Sequence, residues 1–260
     1  MRNIKFTIEY DGTNYCGWQV QNRPKAEGRR PKTIQETIEN VLKKIFQHKL
    51  ELIASGRTDS GVHAIGQVAN FKTGSKIPVL NIQRAVNSLL PQDISIKEAR
   101  DAPLDFHSRF SAKSKTYRYL ILNQPVRCVF LHKRAYFTPF TLNISRMRSA
   151  AKLFLGRHDF KAFCASSSSA KNTVRTIKKI IIRKTFNCPP FTMRSPLISI
   201  DITADGFLYN MARSIVGTLI EVARGKIEKG VIRVILTSPD RSLIGPTAPA
   251  NGLYLLNVQY

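Results

Sequence analysis

From the first residues of the chain, Ile4, Phe6, Ile8 and Tyr10 alternate with polar side chains. Successive side chains of a strand point to opposite faces, so this period of two predicts an amphipathic strand ending at the Asp11-Gly12 turn. After the stretch NRPKAEGRRPK at 22–32 the period changes. Ile34, Ile38, Val41, Leu42 and Ile45 recur at helical spacing, with Thr33 as an N-cap and Glu36 three residues on as its capping-box partner. ELIA at 51–54 and IGQVANF at 65–71 read as strands on either side of a polar stretch. Ile82–Leu90 reads as a helix stopped by Pro91, which has no amide hydrogen to continue it, and DISIKEA at 93–99 as another strand.

From about Phe110 a similar order of elements follows. TYRYLIL at 116–122 predicts a strand, and ISRMRSAAKLFLG at 144–156 a helix ending at Gly156. VRTIKKIIIRKTF at 174–186 and PLISIDIT at 196–203 predict strands. FLYNMARSIVGTLIEVARG at 207–225 predicts a long helix and GLYLLNVQY at 252–260 a closing strand. Two α/β halves, 1–105 and 106–260, are expected to form an α+β fold with a largely antiparallel sheet and helices on one face. SSSSA at 166–170 predicts a mobile loop.

Charge changes the picture more than composition does. With 43% hydrophobic residues the chain reads as globular, but 41 Lys and Arg against 17 Asp and Glu leave it at +24. Such a field attracts polyanions, nucleic acid first among them. Arg109, Lys113, Lys115 and Arg118 surround Tyr117 and Tyr119 with no acid between them, and Lys171–Lys184 carries six more basic residues. One such run is more simply a solvated face; several acid-free runs, interleaved with aromatics, suit phosphates held beside stacked bases. Cys16, Cys128, Cys164 and Cys188 lie far apart without metal-ligand spacing, which argues against a zinc site or a disulfide framework and fits a reducing cytoplasm. The first residues lack an apolar signal core, and no apolar run approaches membrane-spanning length. The expectation is a cytoplasmic protein without membrane association.

Against that charge, one acid sits in SGRTDSGVHA, residues 55–64. Gly56 and Gly61 bracket Arg57-Thr58-Asp59-Ser60, and glycines let a ligand approach the main chain closely. Arg57, two positions away, is placed to pair with Asp59 and keep it ionised, and an ionised carboxylate serves as nucleophile or general base. By local chemistry alone, a turn-capping Asp59 is the simpler reading. A metal held by Asp59 and His63 is disfavoured, because two ligands do not close a site; His63 more simply holds the loop by a hydrogen bond. Phosphoryl transfer lacks its G-x-x-x-x-G-K loop.

GRTDSGVHAIGQV at 56–68 resembles the signature of the tRNA pseudouridine synthase A family. EYDGTNYCGWQVQ at 9–21 resembles that family's first strand and turn, and FHSRFSAKSKTYRY at 106–119 its central aromatic-basic strand. FLYNMARSIVGTLIEV at 207–222 is similar to its long helix, and TAPANGLYLLNVQY at 247–260 to its C-terminal segment. Ala212 replaces a usual valine, and Thr116 stands where a basic residue is common. The resemblance implies two pseudo-symmetric α/β halves sharing an extended sheet, with the active cleft between them. It implies a homodimer that isomerises uridine to pseudouridine at positions 38, 39 and 40 of the tRNA anticodon arm. Neither cofactor nor metal is implied. Asp59 falls on the catalytic aspartate, Arg57 on its arginine partner, Tyr117 on the tyrosine that stacks on the target base, and Arg213 on the arginine lining the cleft. Arg109, Lys113, Lys115 and Arg118 are the further RNA-binding candidates. The competing expectation is a non-catalytic tRNA-binding protein of the same fold, which would need the charge and the aromatics but not Asp59.

Overall fold

The computed structural model describes residues 1–21, 32–166, 168, 170–185 and 196–260. All but Lys32 of the stretch at 22–32, Ser167 and Ser169 of the SSSSA loop, and Cys188 lie outside the described residues. The chain divides into two compact units, Met1–Lys113 with Tyr254–Tyr260, and Ser114–Leu253.

In the first unit the alternating residues form strand β1 (Arg2–Tyr10), with Ile4, Phe6 and Ile8 fully buried. β1 pairs antiparallel with β3 (His63–Thr73) and with β4 (Ile94–Ala102). The short β2 (Ile53–Ala54) adds to β3, and β10 (Leu253–Gln259) runs parallel to it, with Tyr254 opposite His63. Helix α1 (Ile34–Phe46) starts where the cap predicts: the Thr33 hydroxyl accepts the Glu36 amide at 3.4 Å. It buries Ile34, Ile38, Val41 and Leu42, the helical stripe read from sequence. Helix α2 (Val79–Leu89) packs on β4 and ends two residues before Pro91.

The second unit is an antiparallel order of β5 (Ser114–Asn123), β9 (Leu197–Ala204), β8 (Val174–Thr185) and β7 (Gly156–Asp159). β6 (Tyr136–Thr138) lies parallel on β5. Tyr117, Tyr119 and Ile121 pair with Ile202, Ile200 and Ile198, and all six are buried on one face. Around this core lie α3 (Ile144–Ala151), α4 (Met211–Ala223) and α5 (Lys229–Thr237). α4 is buried nearly all round, as its run of small and apolar residues requires.

Both units are mixed α/β with mostly antiparallel strands, in line with the α+β reading. Several boundaries differ from the sequence reading. α3 stops at Ala151; a 3-10 turn, Lys152–Phe154, replaces its last turn, and Gly156 opens a strand instead of closing a helix. Phe207, Leu208 and Tyr209 precede α4 rather than beginning it, because Asn210 takes a left-handed conformation at φ 64°. No helix among the described residues is long and apolar enough to cross a membrane.

Candidate active site

The loop 55–62 is pinned almost residue by residue. Gln67, buried on β3, donates from Nε2 to the Gly56 carbonyl at 2.8 Å, and its Oε1 accepts the Ser55 hydroxyl at 2.7 Å. The Trp18 amide donates to the Thr58 carbonyl at 3.0 Å, and the Thr58 hydroxyl meets the Tyr10 hydroxyl at 2.7 Å. The Tyr15 carbonyl accepts the Gly61 amide and the Ser60 hydroxyl, and the Val62 amide closes a turn onto the Asp59 carbonyl at 3.1 Å. Burial pushes the Tyr10 phenol well above its ordinary pKa. The Tyr15 phenol moves the same way by burial and by donating to the nearby Asp93 carboxylate. Both stay protonated and keep their hydrogen bonds at neutral pH.

His63 closes the loop at its far end, the holding role expected of it. Its Nδ1 lies 3.1 Å from the Gly12 amide and 3.1 Å from Asp11 Oδ1. One protonation state of that nitrogen cannot serve both partners. The Gly12 amide hydrogen points at it, so Nδ1 accepts there, and the Asp11 oxygen, which accepts the Thr13 amide at 3.0 Å, is a neighbour rather than an ion-pair partner. The ring also stacks on Tyr254 at 4.7 Å. The backbone on both flanks of Asp59 is therefore fixed, and the residue itself is partly exposed. Arg57 is exposed. No group of three or more His, Cys, Asp or Glu among the described residues is placed to hold a metal ion.

In the second unit Tyr117 is 8% exposed and meets the edge of Phe207 at 4.8 Å between ring centres. Arg213, in the first turn of α4, donates from Nε to the Ala248 carbonyl at 2.7 Å and from Nη1 to Asn210 Oδ1 at 3.0 Å. Lys115 shares the Tyr117 face of β5 by the period of two, whereas Arg118 faces the other side. There its guanidinium binds both oxygens of Asp201, at 2.7 and 2.8 Å, and this holds it even further toward the charged form. Arg109 and Lys113 are exposed in the first unit, the latter just past a turn tied to its last strand by the Lys113 amide.

A family model described as tRNA pseudouridine synthase matches residues 7–111 and 150–260. The chain is 48% identical to the tRNA pseudouridine synthase A of Caldicellulosiruptor bescii over 260 residues, the full length of both. It is 47% identical to those of Acetivibrio thermocellus and Caldicellulosiruptor saccharolyticus, again over the full length of each. The chain belongs to the tRNA pseudouridine synthase family. It is an isomerase that acts on tRNA, turning uridine into pseudouridine. Within that family frame, sequence reasoning singled out the loop residues but not what holds them. Gln67, Tyr10, Tyr15 and Trp18 sat inside the recognised segments without an assigned part, and Asn210 and Phe207 read as helix. Gln67, set between the apolar Ile65 and Val68 of a predicted strand, was the available signal: such a polar residue, if buried, needs partners.

Proposed function

We propose that the enzyme modifies uridines of the tRNA anticodon arm, with Asp59 as the reacting carboxylate and Tyr117 as the surface on which the target base stacks. Arg57 and Arg213 contact the substrate, Arg109, Lys113 and Lys115 hold phosphates, and the protein works in the cytoplasm as a homodimer without a cofactor. The observation that carries this reading is the pinned loop: hydrogen bonds from Gln67, Trp18 and Tyr15 fix the main chain around a partly exposed carboxylate in a chain of +24.

The chemistry fits one acid. The C1′–N1 bond breaks, the base turns, C1′ bonds to C5, C5 loses its proton and N1 gains one. Atoms and electrons balance within the nucleotide, so nothing has to be supplied from outside. A base cannot react while stacked in the RNA, and an aromatic such as Tyr117 offsets the stacking that is lost when it leaves. Asp59 as a carboxylate beside a polyanion opposes binding, so its removal separates the two functions. Asp59→Ala is expected to abolish pseudouridine formation in anticodon-arm mapping while tRNA affinity holds or rises. Loss of tRNA binding with turnover retained would make Asp59 a turn residue and end this reading.

A further inference from the structure

Phe110 is 75% exposed, an unusual position for a ring whose burial is worth about 1.5–3 kcal/mol. It is not a loose surface residue. The turn beneath it is tied to the sheet of the first unit by Ser108, fully buried, whose amide donates to Asn70 Oδ1 at 2.9 Å and whose carbonyl accepts the Tyr260 hydroxyl at 2.8 Å. Within the turn, His107 Nδ1 accepts both the Arg109 amide, at 3.1 Å, and the Phe110 amide, at 3.3 Å. The Ser111 amide returns to the His107 carbonyl at 2.9 Å, and the Ser111 hydroxyl accepts the His107 amide at 3.1 Å. These bonds hold the imidazole against the Phe110 ring, 4.3 Å between centres with the planes 35° apart. The Arg109 guanidinium lies 5.4 Å from the same ring. A rigid aromatic pair is thus presented to solvent with a cation beside it.

We propose that His107 and Phe110 form an accessory stacking platform for an unpaired base of the bound tRNA, with Arg109 on the adjoining phosphate. The inference rests on the tRNA reading and adds a contact apart from the target base. Charge selects the occupant: a chain at +24 with Arg109 at the ring favours a nucleotide over an apolar protein surface. A stack accepts any base, because every base has a π-face.

Phe110→Ala, Phe110→Trp and Arg109→Ala are compared with the unaltered enzyme by tRNA binding at several salt concentrations, steady-state kinetics, thermal melting and sedimentation. Phe110→Ala is expected to weaken tRNA binding roughly five- to hundredfold, as loss of one base stack implies. The loss should fall on KM rather than kcat, with melting and sedimentation unchanged. Its salt dependence should match the unaltered enzyme, since no phosphate contact is removed, and Phe110→Trp should restore affinity. Arg109→Ala should instead lower the slope of log affinity against log salt by about 0.7. Unchanged affinity in Phe110→Ala, or failure of tryptophan to restore it, overturns the platform. A change in sedimentation overturns it too, by making Phe110 a contact between copies of the chain. Because binding is read directly, a failure of the proposed Asp59 chemistry leaves this test intact.

Discussion

In the loop that carries Asp59 the fixing bonds run through the main chain; at the helix start that carries Arg213 they run through side chains. Around Asp59, the carbonyls of Gly56, Thr58 and Asp59 and the amide of Gly61 are all engaged, by Gln67, Trp18, Val62 and Tyr15. These main-chain bonds hold the backbone on both sides of Asp59. At α4, the Asn210 side chain caps no amide of the helix; its oxygen accepts from Arg213, and its backbone sits at φ 64°. A substitution at Asp59 is therefore expected to leave this main-chain framework in place, whereas one at Asn210 alters how Arg213 is held.

The sharpest way to break the first half of that contrast is to push the loop off its support. A Cβ on Gly12 would lie 2.0 Å from the Val62 carbonyl oxygen, and that contact is backbone, with no flexible end to move aside. The Gly12 amide also holds His63. Gly12→Ala is expected to cost about 3 kcal/mol, the upper part of the usual range for overpacking. Melting should fall by roughly 6–12 °C, at about 2–4 °C per kcal/mol for a chain this long. Pseudouridine formation should be lost even at temperatures where the variant remains folded. Wild-type turnover in a folded Gly12→Ala protein would show that the strand-to-loop contact does not set the geometry at Asp59.

The second half makes a prediction of opposite character. Asn210→Gly removes the left-handed strain on a non-glycine residue but adds chain entropy to the unfolded state, so the two nearly cancel and melting should hold within a few degrees. Arg213, however, loses the acceptor of its Nη1. A hydrogen bond to a charged group is worth about 1.5–3 kcal/mol net, so turnover should drop about tenfold or more if Arg213 acts on the substrate as proposed. Asn210→Asp keeps an acceptor oxygen and tolerates the same backbone, and should retain most of the activity. Equal losses in the Gly and Asp variants would assign Asn210 to helix geometry alone.

The two regions were not equally legible. β1 and α1 follow from period and cap because each is long enough for its pattern to repeat, and each has one face buried. β6 and β7, at three and four residues, are too short to show a period at all. α5, KGVIRVILT, was missed for another reason: its branched residues suit a strand, yet Ile232, Ile235 and Leu236 are buried at helical spacing, and tertiary packing overrides the local preference. The signature around Asp59 was plain in sequence because its residues are contiguous. What pins it was not, since Gln67, Trp18 and Tyr15 reach it only through the fold. The expected link between Arg57 and Asp59 came from nearness in sequence and from the family resemblance, and neither fixes where two side chains point in an irregular loop. Asn210 was hidden within an apolar helical pattern that runs on past the real start of α4.

Strand β5 offers the smallest effect and the finest division, because neighbouring cations on it face opposite ways. Arg118 was grouped with Arg109 as an RNA contact by sequence nearness, but its two nitrogens are bound to Asp201, which also accepts Arg183 at 3.3 Å. A guanidinium already neutralised by a carboxylate releases few counterions when RNA arrives, whereas Arg109, exposed and beside a ring, has its charge available. Arg118→Met should leave the salt slope of tRNA binding within error of the unaltered enzyme, in contrast to the drop expected for Arg109→Ala. Its stability cost should be about 1 kcal/mol, because the pair is partly exposed and Arg183 remains beside Asp201. The double variant Arg118→Met with Asp201→Leu should recover that loss, since the one charge left without its carboxylate, Arg183, is more than half exposed and stays solvated. A slope that falls by about 0.7–0.9 in Arg118→Met would mean that RNA displaces Asp201 from the guanidinium, and the far face of β5 would then belong to the binding surface.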